Sequence, residues 1–187
     1  MVDTTIQLVR RSLAGRYAES IKQSKLRESA VLLLLYEKDD EYCILFNKRS
    51  NEVEFNKGEI CFPGGGTDPG DENFIATALR ETYEEMGISP NQVTVLGALD
   101  DVATNSGFVI HPYVGTIDYP CEFRPSAVEV AEVLEVPIST LVDRQNIRDE
   151  ELLQPNGETR RSRSYVYGPH LIYGATARIL QQFLGIL

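Results

Sequence analysis

The sequence has little of the residue chemistry that most often announces a binding site. Only two histidines occur, His111 and His170, which sets a histidine-rich zinc centre aside. The three cysteines, Cys43, Cys61 and Cys121, are widely spaced and form no C-x-x-C pair. They argue against a disulfide framework and for a reducing compartment, by default the cytoplasm. Positive charge is in deficit: 18 Lys and Arg stand against 28 Asp and Glu, a formal net charge of −10. A general nucleic-acid binder needs a basic footprint, so that class falls away. A small anionic ligand does not, because a divalent cation held by carboxylates inverts the local charge. Long apolar runs are also missing. Ala30 to Tyr36 is far shorter than the roughly 20 residues a bilayer demands, and no membrane association is expected. The arginine-bearing start, with Arg10, Arg11 and Arg16, lacks the apolar stretch and cleavage site of a secretory signal.

What is present reads as one α/β domain over residues 1–187, with a mixed sheet because hairpins and helices are interleaved. Ile6, Val9, Leu13, Tyr17 and Ile21 recur at helical spacing and predict a helix over 3–24. Strands are expected over 30–36 and 42–47, joined by the polar turn 37–41 as a hairpin. Residues 48–70 are rich in Gly, Pro, Asn and charge and read as loop. A strong helix is expected over 72–86, with Asp71 as N-cap and Gly87 as its stop. Further strands are expected near 93–98, 109–117, 128–136, 165–167 and 171–173. A helical turn is expected at 137–141, a polar loop over 143–164 and a closing helix over 175–184. Arg160, Arg161 and Arg163 make that polar loop either a lid that clamps anions or an ordinary basic surface loop.

The chemistry concentrates between Gly66 and Ile88. At about 100° per residue, Glu85 lies about 40° to one side of Glu81 and Glu84 about 60° to the other. The helix therefore carries a fan of three carboxylates, with Ile75, Leu79 and Met86 on its opposite, apolar side. Crowded like charges repel, and a hard divalent cation relieves the repulsion. Mg²⁺ takes oxygen ligands and commonly joins one or two carboxylates to substrate phosphates. A solvated acidic helix face is the plain alternative for such a pattern. The glycine-rich stretch Phe62-Pro-Gly-Gly-Gly66 directly before the helix weighs against it, because glycine lets a backbone approach a metal or phosphate closely.

This segment resembles the Nudix box, G-x5-E-x7-R-E-U-x-E-E-x-G-U with U apolar. Gly66, Glu72, Arg80, Glu81, Glu84, Glu85, Gly87 and Ile88 fall in place, and Thr82 stands where an apolar residue is usual. The resemblance implies a Nudix-type α/β/α sandwich around a central mixed β-sheet. It implies a hydrolase using Mg²⁺ or Mn²⁺, with Glu81, Glu84 and Glu85 as metal ligands, Glu81 and Glu85 foremost. A backbone carbonyl of the Gly64–Gly66 turn, that of Gly65, joins them. Arg80 and Glu72 would form an ion pair that orients the glutamates. The implied reaction is attack of water on one phosphorus of a diphosphate. Glu81 is one candidate for the proton acceptor; Glu129 and Glu132 on a distant segment are others.

A second resemblance extends upstream. Leu45-Phe-Asn-Lys-Arg-Ser50 and Gly58-Glu-Ile-Cys-Phe62-Pro-Gly-Gly65 are similar to the signature of coenzyme A pyrophosphatases. The segments 129–137 and 172–177 resemble the same subfamily, so the likeness runs from about residue 28 to the end. It implies cleavage of coenzyme A or an acyl-CoA to 3′,5′-ADP and 4′-phosphopantetheine. Two positions depart from the signature: Glu54 replaces an arginine and Asn56 a histidine. Lys48, Arg49 and Lys57 are the cations that would compensate in substrate binding, and Tyr113, Phe123 and Tyr173 the aromatics that would stack on a base. ADP-ribose, dinucleoside polyphosphates and a non-catalytic nucleotide-binding module are the alternatives. A homodimer through the apolar N-terminal helix is left open.

Overall fold

The computed structural model describes residues 4–22, 25–52, 56–153 and 159–187. Its central strand, β1 (Arg27–Lys38), explains the architecture. Its apolar run is buried on both faces, as strands covered on two sides are. Ala30, Leu32, Leu34 and Tyr36 join one apolar cluster, and Leu33 and Leu35 join the other. Each fully buried leucine stabilises the fold by roughly 1.5–3 kcal/mol. β1 runs parallel to β7 (Phe108–Thr116) and antiparallel to β2 (Glu41–Arg49), so the sheet is mixed. β3 (Ile60–Cys61) and β8 (Val130–Pro137) pair with β2, and β4 (Gly64–Gly66) pairs with β1. β5 (Thr94–Ala98) and β6 (Val102–Ala103) pair with β7.

Helices cover both faces. α2 (Phe74–Met86) sends Ala78 and Met86 into the cluster with Leu32 and Leu34. α1 (Thr5–Leu13) and α4 (Gly174–Leu184) send Val9, Leu13, Leu180 and Phe183 into the other, with Leu33 and Leu35. This is the expected α/β/α sandwich. A short helix, α3 (Ile138–Val142), follows β8. The three-stranded sheet β9 (Ile147–Leu153), β10 (Thr159–Tyr167) and β11 (His170–Ile172) lies beside α4.

Three expectations are corrected. The first helix ends at Leu13, not near 24: Ala14 is already extended and Gly15 sits at φ 79, a left-handed turn that glycine allows. Residues 16–21 then run along the sheet edge. The Glu19 and Ile21 amides donate to Asp100 Oδ1 and Asp101 Oδ2, each at 2.8 Å, and Tyr17 is 96% exposed rather than apolar packing. Val9 and Leu13 are buried within their own chain, so α1 needs no second subunit to cover them. Second, residues 48–70 are not all loop, since they hold β3 and β4. Third, 143–164 is largely a hairpin of β9 and β10. Asp149 faces Arg163 and Glu151 faces Arg161 across its strands, and opposite charges directly opposite support a pair that polarity alone hides. The arginine lid is thereby replaced by strand; the Arg160 side chain lies outside the described residues. No helix among the described residues is long and apolar enough to cross a membrane.

Candidate active site

β4 and α2 build the site together. Gly64, Gly65 and Gly66 lie antiparallel to Val31, Ala30 and Ser29, so the glycine strand is clamped against β1. Gly64 has φ 151, and a Cβ there would strike the Ala30 carbonyl. At Gly65 a Cβ would stand 2.5 Å from the Glu81 carboxyl carbon. Gly64 is thus required by β1, and Gly65 is required so that α2 can press the Glu81 carboxylate onto the backbone. α2 starts at Phe74, later than expected: Asn73, not Asp71, is the N-cap, its Oδ1 accepting from the Ala76 N–H at 3.0 Å. The helix ends as expected, with Gly87 left-handed at φ 71.

The three box glutamates do not share one environment. Glu85 is 4% exposed and faces the sheet, although helical spacing puts it on the carboxylate side rather than with Ile75 and Leu79. Its Oε2 accepts from Asn47 Nδ2 at 2.8 Å and from the Gly64 N–H at 3.1 Å, and Arg49 Nη1 stands 3.7 Å from Oε1. Burial pushes the Glu85 carboxyl up to about 7; the Gly64 N–H and the Arg49 charge oppose this, and the Glu81 and Glu129 charges add to it. Glu81 is also raised, chiefly by burial, with its Arg80 hydrogen bond opposing and the Glu84 and Glu129 charges reinforcing. Glu84 is half-exposed, at 52%. Thr82 is fully buried and its hydroxyl donates to the Ala78 carbonyl at 2.7 Å, so this departure from the box is absorbed within the helix.

Arg80 holds the constellation. Its Nε and Nη2 donate to Asp71 Oδ1 and Oδ2 at 2.9 and 3.0 Å, a two-pronged pairing. Nη2 also donates to the Gly66 carbonyl at 2.9 Å, and Nη1 to Glu81 Oε1 and Glu84 Oε2 at 2.9 and 3.0 Å. The partner that orients Arg80 is therefore Asp71, not Glu72. Because the helix begins at Phe74, capped by Asn73, Glu72 is left exposed, while Asp71 turns inward and also accepts from the Asp68 amide and the Thr77 hydroxyl. These donors, Arg80 first, hold the Asp71 carboxyl far below the usual carboxylate range.

The three cations expected to bind substrate separate. Arg49 reaches the site, but Lys48, its neighbour in β2, points to the other face and pairs with Glu132 at 3.7 Å. Lys57 is exposed in the turn before β3. Glu54 lies outside the described residues; Asn56 is left-handed at φ 55 and exposed. Glu129 lies near enough for its charge to act on both Glu81 and Glu85. Glu132 is instead engaged by Lys48 and by His170, whose Nε2 is 3.3 Å from Oε1. Of the three aromatics, Phe123 packs edge-on against Tyr36 and Tyr113 lines a cavity by His111. Tyr173 borders a cleft of about 360 Å³ with Asn56, Glu59, Arg161 and Arg178. Sequence reasoning missed Asp71, Asn47 and the Gly64 N–H. The polar Asn47 closing the apolar run Cys43-Ile-Leu-Phe46 was the available signal.

The donor set suits a hard cation. All its side-chain donors are carboxylate oxygens, and the space a Gly65 side chain would fill is given to the Glu81 carboxylate. No three acidic, histidine or cysteine side chains among the described residues already converge as a closed cage. Carboxylate donors of this kind suit a divalent cation for which waters and substrate phosphates complete the coordination.

The NUDIX domain family matches residues 26–154, a span that holds β1 to β9 with the glycine strand β4 and α2, and leaves out α1, β10, β11 and α4. The chain belongs to the Nudix hydrolase family. It is 35% identical over 156 residues to an uncharacterized Nudix hydrolase, NudL, of Photorhabdus laumondii, covering 83% of this chain and 82% of that one. It is 32% identical over 154 residues to the peroxisomal coenzyme A diphosphatase NUDT7 of Mus musculus, covering 82% of this chain and 64% of that protein. The fold is shared with a NUDIX hydrolase of Alicyclobacillus acidocaldarius, at TM-score 0.53 and 17% identity, over 87% of this Nudix chain and 93% of the other.

Proposed function

We propose that this Nudix hydrolase cleaves the pyrophosphate bond of coenzyme A or an acyl-CoA, giving 3′,5′-ADP and 4′-phosphopantetheine. The observation that carries the hydrolytic reading is the pressing of Glu81 and Glu85 onto the Gly64–Gly65 backbone by a helix pinned through Arg80 and Asp71. The substrate reading rests on the upstream signature and on the likeness to a coenzyme A diphosphatase. Glu81 and Glu85 would hold Mg²⁺ or Mn²⁺, with Glu84 at the exposed rim and the Gly65 carbonyl beside them. When bound, the cation polarises the phosphoryl oxygens, lowers the pKa of water and neutralises the leaving phosphate. Glu129 is the proton acceptor that the arrangement favours. It is half-exposed and close to both inner glutamates, whereas Glu132 is occupied by Lys48 and His170. Water adds its oxygen to one phosphorus, its proton passes to the Glu129 carboxylate, and the bridging oxygen leaves with the other phosphate. Arg49 is the cation placed to meet a phosphate at the inner carboxylates. Arg161 and Arg178 border the cleft that Asn56 and Tyr173 line, and serve as the cations that compensate for Glu54 in substrate binding.

The test is phosphate release, through a coupled phosphatase, from a panel of coenzyme A, ADP-ribose, NADH, dinucleoside polyphosphates and nucleotide sugars. Coenzyme A is expected to be the best substrate with Mg²⁺ or Mn²⁺, and Glu85→Gln to abolish turnover. Preference for ADP-ribose or a dinucleoside polyphosphate would move the substrate reading to those diphosphates. Silence across the panel would favour a nucleotide-binding module.

A further inference from the structure

Asn47 is a polar side chain where the fold asks for an apolar one. It is 1% exposed and follows Leu45 and Phe46, both fully buried, along β2. Its backbone pairs with Cys61 on one side and Val133 on the other, so the strand needs nothing from the amide. Its Nδ2 donates to Glu85 Oε2 at 2.8 Å. Its Oδ1 is buried with no hydrogen-bond partner. An acceptor buried in this way costs stability, and an apolar residue of similar shape would avoid the cost. The opposite amide orientation offers no relief. It would set an acceptor oxygen against a carboxylate oxygen and leave two buried N–H donors unpaired. The amide is therefore oriented by Glu85 alone.

We propose that Asn47 is a positioning residue whose amide N–H fixes the rotation of the Glu85 carboxylate. Asn47 and the Gly64 N–H converge on the same oxygen, Oε2, so the carboxylate plane is set from two directions and Oε1 is presented on the Arg49 side. Holding a ligand carboxylate in one rotamer before the cation arrives removes an ordering cost from metal binding, and partners of this kind typically control 10–100-fold in affinity or activity. This inference rests on the reading of Glu85 as a metal ligand.

The test measures Mn²⁺ binding by the paramagnetic resonance of free Mn²⁺, without substrate, on the parent protein, Asn47→Leu, Asn47→Thr and Glu85→Gln. Thermal unfolding of the metal-free proteins is recorded alongside. Asn47→Leu is expected to weaken Mn²⁺ binding by about 10–100-fold while its Tm stays level or rises, because leucine removes the orphaned oxygen. At saturating metal its kcat should fall while KM for the substrate stays within about twofold. Asn47→Thr, which keeps a donor hydroxyl, should lie between Asn47→Leu and the parent. Parental Mn²⁺ affinity in Asn47→Leu would overturn the proposal, and so would loss of the fold in that variant, which would assign Asn47 to the core. Parental affinity in Glu85→Gln would remove the metal-ligand reading beneath it, an outcome distinct from failure of Asn47 alone.

Discussion

Two acid clusters sit at the first and last turns of α2, and their partners differ. At the first turn, His111 lies between Asp101 Oδ1 at 2.8 Å and Glu28 Oε2 at 2.7 Å, with its ring stacked on Phe74 at 3.7 Å. The second Asp101 oxygen accepts from the Ile21 amide. The two ring nitrogens stand within hydrogen-bond distance of both acids, and Asp101 has the backbone donor besides. At the last turn, the close donors to Glu85 are a neutral amide and a backbone N–H, and Arg49 stands off at 3.7 Å. That carboxyl is pushed up to about 7 because burial outweighs the Gly64 N–H and the Arg49 charge. The contrast separates architecture from function: a buried acid fully paired by its own chain closes a structure, and one left short of positive charge awaits a ligand.

The largest effect that sharpens this contrast is on turnover. Glu85→Gln should lower kcat by at least about 100-fold in steady-state assays while the protein stays folded. His111→Leu should do the reverse. Removing the ring takes one partner from Asp101, which keeps the Ile21 amide, and one from the part-exposed Glu28; it costs about 2 kcal/mol, a Tm loss of roughly 4–8 °C by calorimetry, with kcat at low temperature within about twofold. An equal kcat loss in both variants would erase the distinction.

Next in size is the pH dependence of stability. A carboxyl whose folded-state pKa lies above its unfolded one penalises the folded state once it ionises. For Glu85 the penalty is absent below the ordinary carboxylate value of 4.5, grows as pH rises, and is complete above about 7. It is on the order of 3 kcal/mol. The metal-free protein should therefore lose Tm between pH 5 and pH 8, Glu85→Gln should lose less, and Mg²⁺ should restore more at pH 8 than at pH 6. Identical pH profiles for parent and Glu85→Gln would show that Glu85 carries no such penalty.

Smaller effects sort the Arg80 partners and the cleft. Asp71→Asn should lower kcat about tenfold, while Glu72→Gln stays within about twofold, because Arg80 leans on Asp71. The reverse order would restore Glu72 as the orienting acid. Replacing Arg161 and Arg178 with alanine should raise KM for coenzyme A a few-fold, the effect of exposed or half-exposed cations on an anion. An unchanged KM would leave the lost charge at position 54 without a substitute.

The helix pattern and the glycine run made the core of the site legible in advance, because Glu81, Glu84 and Glu85 share a helix and spacing fixes their mutual angles. Their environments were not legible. Helical geometry puts Glu85 near Glu81, but only tertiary packing buries it under β2 and β4. Asp71 was hidden by a two-residue error in the helix start, which exchanged the roles of Asp71 and Glu72. The β9–β10 hairpin was hidden because 148–151 and 159–164 are charged or polar and show no apolar alternation. Gly15 was the stop signal for α1, overridden in the sequence reading by apolar spacing that continued through Tyr17 and Ile21. Asn47 was hidden because its partner is thirty-eight positions away in sequence.

The most direct measurement is product analysis by mass spectrometry after incubating coenzyme A with the purified protein and Mg²⁺, beside Glu85→Gln. The account predicts 3′,5′-ADP and 4′-phosphopantetheine from the parent and intact coenzyme A from the variant. Intact coenzyme A in both, with another nucleoside diphosphate derivative cleaved by the parent, would contradict it.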